Sequence, residues 1–112
     1  MLATTTTSMP TPTMVDITVE NFRFDADENN STQVDTVTIN VGDTVRWIWE
    51  AGIHTVTSGL SSDLQDNPGE LFDEPLNSSN QSFEFTFTEA GTFPYFCRPH
   101  EFLNMKGIIV VQ

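Results

Sequence analysis

The sequence predicts an all-β protein: a two-sheet Greek-key β-sandwich of about seven to eight strands. Three observations carry that prediction. Apolar and polar residues alternate over several short segments, which is the period of a half-buried strand. Gly, Asp, Asn and Pro punctuate the gaps between those segments. No segment sustains the 3.6-residue apolar period of a helix.

The elements follow in chain order. Met1 to Met14 is rich in Thr and Pro and has no period, so it reads as a flexible leader or linker. Residues 15–112 then form one domain, a size that suits a single core. Val15, Ile17 and Val19 alternate with polar residues in a first strand, and Phe22 and Phe24 extend its apolar set. Asp25 to Thr32 is a polar loop. Val37, Ile39 and Val41 mark a second strand, closed by the Gly42-Asp43 turn. Val45, Trp47 and Trp49 mark a third. Ala51-Gly52 breaks it, and Ile53 to Thr57 gives a fourth. Ser58 to Ser82 reads as irregular, with a short helical turn near Ser61 to Leu64 at most. Phe83, Phe85 and Phe87 alternate cleanly with polar neighbours. Phe93, Tyr95 and Cys97 share one face of the next strand. After a loop from Arg98 to Lys106, entered into the last strand through Gly107, Ile108 to Val111 completes the sandwich. Trp47, Trp49, Phe83, Phe85 and Phe87 are the expected core.

Charge narrows the partners. Sixteen Asp and Glu face four Lys and Arg, for a formal charge of −12. Such a surface repels nucleic acid and anionic membranes, and it either steers basic partners or simply keeps the chain soluble. No run of about 18 apolar residues occurs that could span a bilayer as a helix.

The chemistry concentrates near the C-terminus. Cys97, His100 and Met105 place a thiol, an imidazole and a thioether within nine residues of one loop between two strands. Pro99 stiffens that loop beside His100. His54, at a strand edge, is the other histidine of the chain, and Cys97 is its one cysteine. Taken singly, each has a plainer reading: Cys97 a buried small hydrophobe, His100 a turn residue, Met105 core filler. Jointly, two imidazoles, a thiolate and a weak axial thioether are the donor set of a type 1 copper site. The soft sulfurs favour Cu(I) and the imidazoles also suit Cu(II). A zinc site would take a tetrahedral set without the thioether, although zinc can occupy such a site when copper is scarce. The metal ligands expected are therefore His54, Cys97, His100 and Met105, holding one copper per chain.

The run Gly91-x-Phe93-x-Tyr95-x-Cys97-x-Pro99-His100-x4-Met105-x-Gly107, with His54 about forty positions upstream, resembles the cupredoxins of the plastocyanin, pseudoazurin and halocyanin type. The resemblance covers Val15 to Gln112. It implies copper at one end of an eight-stranded sandwich, beneath an apolar surface, and one-electron transfer between larger redox proteins such as a cytochrome or a copper enzyme. It also implies a periplasmic or extracytoplasmic monomer rather than an enzyme, with membrane tethering through a removed N-terminal segment as an option. Phe102 and Leu103, in the ligand loop, are expected to form an apolar docking patch around His100. Asp63, Asp66, Glu70, Asp73 and Glu74 cluster in the long loop and are the candidates for steering. Arg98, beside Cys97, is expected to offset the negative field and raise the potential slightly.

Two positions depart from the family pattern. Thr55 follows the first histidine where many relatives carry Asn, and its N–H and hydroxyl are the expected substitutes. Asn104 precedes Met105 where many relatives carry Gly, and Asn tolerates the left-handed region better than most residues. The alternatives to a carrier are a copper-handling protein and an electron-entry domain of a larger copper enzyme.

Overall fold

The computed structural model describes residues 11–26 and 34–112. Most of the Thr/Pro-rich leader and most of the 25–32 loop lie outside the described residues. Among the described residues nine strands run β1 (Met14–Glu20), β2 (Arg23–Asp25), β3 (Asp35–Ile39), β4 (Thr44–Trp49), β5 (His54–Ser58), β6 (Asp73–Leu76), β7 (Ser82–Thr86), β8 (Gly91–Phe96) and β9 (Lys106–Val111). They make two mixed sheets, ordered β2-β1-β4-β7 and β3-β9-β8-β5-β6. Parallel pairs β1–β4 and β3–β9 combine with antiparallel neighbours, as crossing between sheets requires. This is the all-β sandwich that the alternation predicts, with two strands resolved more finely.

The first difference is β2. The apolar set of Phe22 and Phe24 does not continue β1. The chain reverses at Asn21-Phe22, so that Val19 opposes Phe24. The second is β6, which lies inside the stretch read as irregular. Pro75 and the acidic neighbours hide it from a propensity reading. It is tolerated because β6 is an edge strand, paired on one side with β5. The helical turn of that loop sits at Leu64–Asp66, where Asp63 accepts the Gln65 N–H at 2.9 Å. Val41 stands outside β3 and is exposed, because the chain is already turning through Gly42, whose φ is +97°.

Gly107 also differs from expectation. It is not the entry to the last strand but its second residue, in register with Tyr95. A Cβ there would run into the Tyr95 ring, so the glycine is needed for close approach, not for a turn.

The core lies between the sheets, and Trp47 is its centre. It is fully buried, with ring centroids of Tyr95, Phe72 and Phe83 at 5.2, 5.4 and 5.6 Å. Phe87 is buried, while Trp49, Phe83 and Phe85 are only partly so and pack against the core from its rim. For Phe83 and Phe85 the reason is position, since β7 is an edge strand. The long loop after β5 is riveted by buried Ser58. Its hydroxyl donates to the Phe72 carbonyl and accepts from the Leu71 and Phe72 N–H groups. That closure returns the chain to β6 beside β5, and so shapes one flank of the site described next.

Candidate metal centre

His54 opens β5 directly after the Ala51-Gly52 turn and is 1% exposed. Its Nε2 lies 2.7 Å from the Ala51 carbonyl. A carbonyl only accepts, so Nε2 carries the proton and Nδ1 keeps its lone pair. That lone pair faces Cys97 Sγ at 3.7 Å. Burial pushes the His54 imidazole below its usual range, which keeps it neutral and able to ligate.

Gly52 makes this placement possible. Its φ is +90°, and a Cβ there would stand 2.6 Å from His54 Nε2 and collide with the Asn21 side chain. Gly52→Ala is therefore expected to displace the ring and weaken copper binding roughly tenfold or more. Titration of the purified variant with Cu(I) or Cu(II) checks this, and wild-type affinity with an unaltered spectrum would rule it out.

Cys97 directly follows β8 and is fully buried. Burial raises its thiol pKa, and N–H groups of Thr55 and His100 pull the other way. The thiol is therefore protonated in the metal-free chain, and a metal must displace that proton. The chain next curls through the 3₁₀ turn Arg98–Leu103, with Pro99 in its first turn. The His100 N–H donates to the Cys97 carbonyl, and His100 Nδ1 arrives 3.4 Å from Sγ. Asn104 ends the turn in the left-handed region, at φ 61° and ψ 37°, as its residue type allows. Met105 then enters fully buried, its carbonyl accepting the Cys97 N–H at 3.0 Å.

Among the described residues, the ligand atoms of His54, Cys97 and His100 all lie within 4.8 Å of one another. The sequence reading reached Cys97 and His100 from their spacing in one loop, and His54 as the chain's other histidine. What it missed is the lining. Phe22 packs edge-on against the His100 ring at 4.7 Å, and Ile53 is 73% exposed beside His54. Phe22 breaks the β1 alternation, which was the one available signal.

Thr55 takes over both tasks expected of it. Its N–H points at Cys97 Sγ at 3.5 Å, and its hydroxyl accepts the Arg98 N–H at 2.9 Å. Arg98 itself is paired with Asp73, Nη2 to Oδ2 at 2.8 Å, so its charge is locally balanced.

One buried and one half-buried imidazole beside a buried thiol suit a soft, redox-active metal. The sequence profile described as copper binding proteins of the plastocyanin/azurin family matches residues 20–112. The chain belongs to that family. Copper is accordingly its cofactor, and the sandwich is the cupredoxin fold. Plastocyanin of Scenedesmus fuscus is 36% identical over 84 residues, spanning 68% of this chain and 81% of the relative. Amicyanin of Paracoccus denitrificans is 39% identical over 77 residues, spanning 66% of this chain and 53% of the relative. The chain thus covers most of the one relative and about half of the other. A Cu(I) structure of an amicyanin variant superposes with a TM-score of 0.62 at 26% identity, over 92% of this chain and 95% of that one.

Proposed function

We propose that His54, Cys97, His100 and Met105 hold one copper ion, and that residues 15–112 form a one-electron carrier with residues 1–14 as its leader or linker. The observation that supports this most is the convergence of Nδ1, Sγ and Nδ1 in a buried pocket, with Met105 buried beside them. Copper held there would supply the Cu(I)/Cu(II) couple, and all other contributions come from the chain. The Ala51 carbonyl fixes the His54 tautomer. Backbone hydrogen bonds across the Cys97–Met105 loop fix the donors relative to one another. A site that need not rearrange suits electron transfer and slows metal release, which favours a carrier over copper handling. With four protein donors committed, no position is left for substrate, and the reading is not that of an enzyme.

His100 is the half-buried ligand and thus the electron gate. Phe102 is 83% exposed and Leu103 43%, two and three residues after it in the same loop, and half-exposed Phe22 packs on its ring. Redox partner proteins dock there, in a periplasmic or other extracytoplasmic compartment. The double variant Phe102→Ser, Leu103→Ser is expected to slow electron exchange with a protein partner about tenfold while leaving the potential and spectrum unchanged. Equal rates for variant and parent would remove the patch from the docking surface. The charge of −12 steers basic partners, so association with a cationic cytochrome should slow steeply between low and physiological salt. A flat salt response would argue for solubility as the only role of the acid.

A further inference from the structure

A closed ring of polar groups lies beside Cys97. The Arg98 N–H donates to Thr55 Oγ1 at 2.9 Å, Thr55 Oγ1 contacts Thr57 Oγ1 at 2.9 Å, and Thr57 Oγ1 donates to Asp73 Oδ1 at 2.8 Å. Asp73 closes the ring by accepting from the Arg98 guanidinium at both oxygens, 3.2 and 2.8 Å. The proton order is unique. A carboxylate held by a guanidinium only accepts, so the Thr57 proton is committed to it. Thr57 must then accept from Thr55. Thr55 has spent its proton, and its lone pair receives the Arg98 N–H.

This ring spans β5, β6 and the residue after Cys97. Thr57 is fully buried, and Thr55 and Asp73 lie at the flank of the centre rather than in it. The ring's one link to the sulfur is the Thr55 backbone N–H, 3.5 Å from Cys97 Sγ. Both ends of that contact are held by the ring: Thr55 through its own hydroxyl, Cys97 through the N–H of its neighbour Arg98.

We propose that Thr57 and Asp73 are positioning residues for the copper thiolate, acting through Thr55 to set the N–H to sulfur hydrogen bond. The inference rests on the ligand assignment of Cys97 proposed above. Such a bond draws electron density from the thiolate and so favours Cu(I) over Cu(II); weakening it lowers the reduction potential. Because successive hydroxyls polarise one another, cutting the ring at either threonine has the same consequence.

The test is a double-mutant cycle on the copper-loaded protein, with Thr55→Val, Thr57→Val and both together, and Thr57→Ser as the conservative variant. None of these changes charge. Each single variant is expected to lower the potential, by roughly threefold in the electron-exchange constant, the weight of one hydrogen bond. The double variant should fall no further than either single, because both cut one chain. The thiolate-to-copper band should move with the potential, and Thr57→Ser should restore both. Parent-like potentials in a blue Thr57→Val protein overturn the proposal, as do additive losses that serine does not rescue. Should Thr57→Val not fold, Thr55→Val and the NMR shift of the Arg98 amide proton decide the matter, and an unmoved potential overturns it. Absence of the blue band in the parent protein would instead sink the ligand assignment itself.

Discussion

Cys97→Ser is expected to abolish the intense visible band of the copper-loaded protein and to reduce electron exchange by several orders of magnitude. The band belongs to charge transfer from thiolate sulfur to Cu(II), and serine offers no equivalent. A hydroxyl stays protonated near neutral pH, so it is neither a soft donor nor an anionic one. The site would then retain two imidazoles and a thioether, a set that binds Cu(II) more weakly and has no covalent path toward partners. Folding should survive. Cys97 is fully buried but small, and its backbone N–H keeps the Met105 carbonyl as partner whatever the side chain. The measurement is a visible spectrum during Cu(II) addition, before and after ascorbate, for variant and parent. A blue serine variant, bleached by ascorbate, would remove Cys97 from the ligand set.

Trp47→Ala is expected to cost about 3–5 kcal/mol of stability. That is a large share of the roughly 5–15 kcal/mol available to a domain of this kind. Trp47 is fully buried, and its ring meets Phe72, Phe83 and Tyr95, which belong to both sheets and to the residue before β6. Removing it leaves a cavity that three stiff aromatic rings cannot collapse to fill. Tyr95 also packs against Phe24 and over Gly107, two residues after Met105. The loss should therefore reach the metal centre as a lowered copper affinity as well. Denaturant midpoints of the metal-free proteins measure the stability term. A difference below about 1 kcal/mol would mean that the core repacks around the gap.

These two residues show how much of the molecule a linear reading reaches. Trp47 is legible as core because it sits in a strict alternation with Val45 and Trp49, and a period of two assigns faces without any knowledge of the partner sheet. β7 and β8 are legible for the same reason. β6 is not, since Pro75 and its acidic neighbours lack the pattern, and an edge strand paired on one side does not need it. β2 is not, because the shift of apolar phase between Val19 and Phe22 marks a break without showing that the chain reverses there.

The centre divides along the same line. Three of its expected ligands lie in one short loop, where spacing alone fixes who can meet whom, and Asn104 and Pro99 advertise the bends. His54 was reached only because the chain has so few candidates. Its approach to Cys97, the Gly52 turn beneath it and the Phe22 ring against His100 depend on contacts between residues far apart in sequence. The ring from Arg98 through Thr55 and Thr57 to Asp73 is of that kind as well. Local order along the chain determined most of the strands, the loop chemistry and the metal. Only the packing of β5 and β6 against the Cys97 loop decided the hydrogen bonds around the sulfur, because a hydrogen bond needs atoms within about 3 Å and sequence does not encode that distance between remote segments.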